Sequence, residues 1–302
     1  PIYSIENGII TSLKGEVSCL YKVLHQDLSQ LKDNDLEAFF ENWHLELKTF
    51  KEDCFYKFYY IDDILYLNTN DEKINRISHK LELVSNPLSI LFREHDVHRE
   101  LEVFDDYLIV GHRFVRLLNF YELPSSINPC FLEAFGDHVL CIKKFDSEKA
   151  KKKLNLKRKV HFSLSQELLR NIESEKAFVQ NENLLEEVTT GSEIVFSMEG
   201  WLIVQGDNLA ELNHRTFELY EKAKLFDLRL LSEGRGLAYF FSNIIPGVRP
   251  SMKREHLAPA LFVSGLLPFP NEYLYDEGFT LHSRSSRELK IDLFHKDNIY
   301  YN

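Results

Sequence analysis

Four places along this 302-residue chain gather residue types that can do chemistry. Gly234-Arg235-Gly236 falls between an expected strand and an expected helix, where a turn can aim backbone N–H groups at a phosphate. It lacks the third glycine of a dinucleotide turn and the Lys-Ser/Thr of a P-loop, so a plain structural turn also accounts for it. Cys130, His138 and Cys141 offer sulfur and imidazole of the kind zinc takes, without the Cys-x-x-Cys pairs or the fourth ligand of a zinc site. Core packing is the competing account. His95 and His98 stand one helical turn apart beside Glu94 and Asp96, a spacing that suits either a metal pair or an exposed polar helix face. Lys143-Lys144 and residues 149–159, with Lys151-Lys152-Lys153 and Lys157-Arg158-Lys159, can attract phosphates or anionic lipid, or form a solvated boundary helix or linker. The sequence contains no Gly-x-Ser-x-Gly, no His-Glu-x-x-His and no Gly-x-x-x-x-Gly-Lys-Ser/Thr.

The bulk numbers narrow the classes further. A length of 302 residues favours two domains or subdomains, and 44% hydrophobic with 27% charged residues is a folded composition. The formal net charge of -11 opposes general nucleic-acid binding, which rests on clustered Lys and Arg, so no direct nucleic-acid partner is expected. Cys19, Cys54, Cys130 and Cys141 are scattered without paired spacing, which fits a reducing compartment and a cytoplasmic location. The longest apolar stretch, 257–270, is interrupted by Pro259, Gly265 and Pro268, too short and too broken to cross a bilayer. The chain opens on Pro1 in strand-like sequence and closes at Asn302 without a terminator, so both ends read as trimmed.

The elements that must position these residues follow from periodicity. Gly8-Ile9-Ile10-Thr11-Ser12 pairs with 17–23 across Lys14-Gly15, and Asp33 or Asn34 caps a helix carrying Leu36, Phe39, Phe40, Trp43 and Leu47. Residues 55–61 form an aromatic strand paired with that hairpin, and 71–102 read as helical. Two strands flank Gly111-His112, a short helix falls near 128–135, and Val139-Leu140-Cys141-Ile142 is another strand. Beyond the lysine run, Val160-His161-Phe162-Ser163-Leu164 alternates as a strand, and Ser165 caps a helix running to Val188. A hairpin turns at Glu199-Gly200, Asp207 or Asn208 caps a long amphipathic helix, and Leu228-Arg229-Leu230-Leu231 is the last strand. That order is βαββαβ, the ferredoxin-like arrangement, with one sheet face under two helices and the other left available. A further helix from Leu237 ends at Pro246-Gly247. The expected fold is therefore α+β in two lobes: a mixed helix-and-sheet lobe at 1–148, a ferredoxin-like lobe at 149–250, and a Pro/Gly-rich connector at 251–302.

Taken together, several of these segments resemble a known family. They are Ile5-Glu6-Asn7-Gly8-Ile9-Ile10 with its Gly15 turn, the block from Tyr107-Leu108-Ile109-Val110 to Leu123-Pro124, and the strand-helix-strand from Trp201 to Leu231. Ile245-Pro246-Gly247 and the final 278–294 approach complete the pattern. The chain resembles the N-terminal region of the type IV secretion and conjugation ATPases, the CagE/TrbE/VirB family, close to the TraG-type ATPases of Bacteroidetes conjugative elements. The resemblance is one of order and pattern over nearly the whole chain. It implies a missing C-terminal RecA-like ATPase domain, with ATP and Mg bound there and no cofactor or catalysis in this chain. It also implies docking to the ATPase domain and to inner-membrane subunits of the channel, homo-oligomerisation, and a peripheral place at the inner membrane face.

The surface expected to serve that docking is the apolar segment 257–270 with its basic surroundings. Phe262, Leu266 and Phe269 are its apolar candidates, and Arg249, Arg254, Arg284 and Arg287 its charged ones, beside Lys253. The competing account is a connector packed on its own lobe with arginines serving solubility. An independent ligand-binding module or small-molecule enzyme stays open as the alternative, and a deep pocket with converging polar groups is its sign.

Overall fold

The computed structural model describes residues 2–24, 33–77, 80–92, 101–124, 131–165, 172–267, 279–282 and 288–291. Strands β1 (Ile2–Glu6), β2 (Ile9–Ser12) and β3 (Val17–Leu24) form an opening meander, and α1 (Asp33–Lys48) carries the chain to β4 (Tyr56–Ile61). β4 turns back into β5 (Ile64–Thr69), which lies between β3 and β4. β6 (Lys80–Leu83), β7 (Leu101–Val103), β8 (Leu108–Val110), β9 (Arg113–Glu122) and β10 (His138–Lys144) follow. Then come α2 (Ser147–Ser165), α3 (Ile172–Thr190), β11 (Val195–Gly206), α4 (Leu209–Leu225) and β12 (Arg229–Ser232). α5 (Leu237–Ile244), β13 (His256–Pro259) and α6 (Ala260–Leu266) complete the body, and β14 (Phe279–His282) pairs with β15 (Glu288–Ile291) in a separate two-stranded sheet.

The protein is mixed α+β, built on a 13-stranded antiparallel sheet in the order β1-β2-β3-β5-β4-β10-β11-β9-β8-β7, with β6, β12 and β13 attached to β3, β9 and β11. β10 joins the halves, since it pairs with β4 on one edge and β11 on the other. Each half contains a strand-helix-strand crossover with one strand inserted: β3-α1-β4 around β5, and β11-α4-β12 around β9. The expected boundary near residue 148 falls inside α2.

Both sheet faces are covered, which explains why β4 is buried along its whole length rather than on alternate residues. Tyr56 and Phe58 turn to the face where Trp43 and Leu47 of α1, Leu212 of α4 and Val263 of α6 pack. Tyr59 and Ile61 turn to the other face, closed by Leu237, Phe240, Phe241 and Ile244 of α5. Burial of each such side chain contributes about 1.5–3 kcal/mol. The face expected to stay open is therefore occupied.

Several expected elements differ, each for a physical reason. Residues 160–164 continue α2: the lysine-rich run supplies good helix formers, and a helix already nucleated propagates through a five-residue alternation. Glu199-Gly200 is the middle of the 12-residue strand β11 rather than a turn. Gly200 sits opposite Phe120, and a Cβ built there would run into the Phe120 ring. The glycine makes room for an aromatic lying on the strand. The order across 160–231 is consequently helix, helix, strand, helix, strand, and βαββαβ does not occur there. In 71–102 the described residues form two short 3-10 turns and two strands. Asp71 draws Lys51, Arg76 and the Lys73 N–H to itself, and Asn86-Pro87 breaks the chain again.

Candidate functional site

Beneath α5 the register of four strands lines up Asn68, Lys57, Cys141 and Glu199 in one polar row across the second face. Lys57 has no exposed surface, and its Nζ donates to the carbonyls of Asn243 at 2.5 Å and Ile245 at 2.9 Å. Tyr59 Oη donates to the Ile244 carbonyl at 2.6 Å. These are the carbonyls a helix leaves unsatisfied at its C-terminus, where a positive charge is also favoured. Farther along, Asn68 Oδ1 accepts the Gly247 N–H at 2.9 Å and Glu199 Oε1 accepts the Arg254 N–H. The row thus fastens the whole segment from α5 to Arg254 onto the sheet. Gly247, at φ 85°, is held so close over Ile10 that a Cβ would collide with it.

The electrostatics of the row follow from enclosure. Burial pulls the Lys57 ammonium down to about 8 and pushes the Cys141 thiol up to about 12. Burial also raises Glu199, against the Arg254 N–H that favours its charged form. A protonated thiol without exposure is a poor nucleophile, and Lys57 has committed its protons to backbone. The chemistry of the row is attachment.

Among the described residues, two of the clefts that open at the surface carry charged side chains. One, of about 440 Å³, is lined by Phe55, Lys143, Lys149, Arg249 and Glu255 among others. Arg249 is engaged there with Glu16 at 2.6 Å, the Asp53 carbonyl at 3.0 Å and the Phe55 ring, 5.7 Å below. Lys153 pairs with Glu255 at 2.9 Å, so positive and negative charges alternate around the opening. The other, of about 490 Å³, lies beside α4 between Asp137, Arg215, Glu218, Leu219 and Lys222. Burial pushes Asp137 up to about 6, with Asp62 and Asp63 adding repulsion, while the Asp62 N–H at 3.2 Å acts against it. Gln205 Nε2 reaches the other oxygen at 3.3 Å. This cleft can accept a hydrogen-bond donor or a small cation.

The residues singled out in the sequence are distributed as follows. Arg254 is partly exposed, pairs with the buried Glu233 at 2.9 Å and covers the Phe240 ring at 5.4 Å. Phe262 is half-buried against the main core, and Leu266 is fully buried in it. The apolar segment is taken up by β13, paired with β11, and by α6. Residues 257–266 of the segment pack on the body of the protein, while Leu261 stays exposed. Phe269, Arg284 and Arg287 lie outside the described residues, as do Cys130, His95 and His98. His138 and Cys141 turn to opposite faces of β10, because residues three apart on a strand must. His138 stacks near Tyr60, its Nδ1–H donates to the Gly136 carbonyl at 2.7 Å, and burial lowers it to about 4. Gly234 and Gly236 give their carbonyls to Leu237 and Phe240 N–H groups, so the turn starts α5. Among the described residues, no cluster of three or more His, Cys, Asp or Glu side chains could hold a metal ion.

Lys57, Asn68 and Glu199 were not among the expected site residues. A signal for Lys57 exists, since it is the only charge in the aromatic run 55–61 and a charge inside a buried strand needs a partner. Among the described residues no helix is long and apolar enough to cross a membrane. No protein-family model matches the chain, and no curated protein matches it.

Proposed function

We propose that the chain is the docking and assembly region of a type IV secretion or conjugation ATPase. In this reading it holds a nucleotide-hydrolysing domain, carried by residues beyond Asn302, against membrane subunits of the channel at the inner membrane face. ATP and Mg belong to that domain, and the force it generates drives pilus biogenesis or the transfer of DNA or protein. The observation that carries the reading is how the buried polar groups are used. Lys57, Asn68 and Glu199 bind backbone of the chain's own 243–254 segment, which is the behaviour of a rigid mount. The order of segments that resembles the secretion ATPases supplies the rest.

The test is ATP turnover. The chain alone should hydrolyse no ATP, and a version extended through the downstream coding sequence should do so and co-purify with inner-membrane channel subunits. Turnover by the chain alone sinks the proposal. A second reading, a small-ligand module, is favoured by one observation: the 490 Å³ cleft holding Asp137 with its raised carboxyl. A cationic ligand whose affinity rises as pH passes 6, and falls in Asp137→Asn, would select that reading.

A further inference from the structure

The cleft of about 440 Å³ lies on the same sheet face as the polar row under α5, two residues farther along its strands. Lys143 follows Cys141 by two positions and stands opposite Ser197, which precedes Glu199 by two, and residues two apart on a strand share a face. Phe55 precedes Lys57 in the same way, and its ring lies 5.8 Å from Lys57 Nζ. Most of the charge around the opening is spent inside the protein. Arg249 is held by Glu16 and the Asp53 carbonyl, and Lys144 donates to the Lys48 carbonyl at 3.1 Å. Glu255 takes both Lys153 and the Ser197 hydroxyl, and Asp146 accepts the Lys149 N–H at 2.8 Å at the start of α2. Four lining groups remain whose charged ends bond to nothing among the described residues: the Lys143 and Lys149 ammonium groups and the Glu52 and Asp53 carboxylates. Their charges sum to zero and are divided by element. The carboxylates stand on the turn that enters β4, and the ammonium groups on β10 and the first turn of α2.

We infer that this cleft binds a zwitterion the size of a free α-amino acid or a dipeptide, with its carboxylate on Lys143 and Lys149 and its ammonium on Glu52 and Asp53. A pure anion would gain the lysines but be repelled by the two carboxylates and by a chain of net charge -11. A pure cation would gain the carboxylates and meet the lysines. Only a ligand carrying both charges, held apart by a short backbone, is complementary to all four groups. The volume falls within the range of about 300–1,000 Å³ common to small-molecule sites. Phe145, partly buried in the lining, supplies apolar surface for a side chain. The inference stands on the charges of this cleft; it uses neither the secretion reading nor the cleft that holds Asp137.

Calorimetric titration of the whole chain at pH 7 tests it with the dipeptides Gly-Phe and Gly-Leu in three forms. The free dipeptide carries both charges, the N-acetylated form only the carboxylate, and the amidated form only the ammonium. The free form of at least one dipeptide should bind, and each capped form should bind about tenfold more weakly. Lys143→Gln/Lys149→Gln should weaken the free form about tenfold and leave the amidated form unchanged. Glu52→Gln/Asp53→Asn should weaken the free form and leave the N-acetylated form unchanged, a crossed pattern that a misfolded variant cannot give. Lys152→Gln, on α2 outside the cleft, should bind like the wild type. No binding of either free dipeptide, equal affinity for free and capped forms, or double variants that bind the free form like the wild type overturns the inference. Tighter binding of the N-acetylated form than of the free one makes this an anion site and overturns it as well. ATP turnover is untouched by any of these outcomes, so this inference and the secretion reading fail separately.

Discussion

The row under α5 and the helices α2 and α3 use charge in opposite ways. Under α5, Lys57 and Glu199 are taken out of water and given to backbone groups of the same chain. On α2 and α3, Lys152 and Glu186 stay exposed to solvent. An enclosed charge costs free energy unless it is bonded, so it persists where it fixes one conformation. An exposed one is nearly free of cost and acts at range, which suits a partner. The difference separates the charge that holds this protein together from the charge it leaves in water.

The strongest way to break that contrast is to strain the interior. Gly200→Ala should destabilise by about 3 kcal/mol, because the added Cβ meets the fully buried Phe120 ring. Lys152→Ala on α2 should stay within about 0.5 kcal/mol. Urea titration of both variants reads the gap, and similar costs would show that the interior is not the rigid part.

Gly200 also shows where sequence reasoning stopped. The α+β class, the opening hairpin, α1 with Trp43 and Leu47, the strands around Gly111-His112, the Asn208 cap and the α5 stop at Pro246-Gly247 were all legible, because each rests on local periodicity or a local cap. Asn208 indeed accepts the Glu211 N–H at 2.9 Å. What was not legible depends on residues far apart in sequence. A glycine reads as a turn until Phe120, 80 positions away, is known to lie on it. β5 separates β3 from β4 although the sequence places β4 directly after the hairpin and helix. The closing of the second face by α5, and with it the role of Lys57, required knowing which strands β10 joins.

A smaller effect is expected at the cleft beside α4. The Asp137 carboxyl, raised to about 6 from 3.8, stabilises the fold where it is protonated; that contribution is complete below pH 3.8 and lost as pH rises through 6. His138 next to it, lowered to about 4 from 6.5, has the opposite sign: its contribution is complete above pH 6.5 and lost as pH falls through 4. The two slopes oppose each other between pH 4 and 6. Asp137→Asn, which mimics the protonated acid, should gain about 2 kcal/mol at pH 7 and nothing at pH 4. Urea melts at the two pH values measure the difference, and an equal effect at both would remove the carboxylate from the account.

The smallest expected effect is the one that sharpens the contrast most. Lys57 is lowered to about 8 from 10.5, so between those values the unfolded chain binds more protons than the folded one and stability rises with pH. The neutral amine still has protons for the Asn243 and Ile245 carbonyls, so deprotonation relieves the buried charge without loosening α5. Cys141, raised to about 12 from 9.0, begins to act against this above pH 9, because the unfolded thiol ionises first. The clear window is therefore pH 8 to 9, where Lys57 should add about 1 kcal/mol, because the folded amine is already half deprotonated at pH 8. Lys57→Met removes the titration and leaves two carbonyls without a donor, so its stability should stay flat across that window while starting from a different level. If the wild type is equally flat, the ammonium is solvated in the folded state. The row would then resemble α2 and α3, and the division between enclosed and exposed charge would have to be redrawn around Glu199 alone.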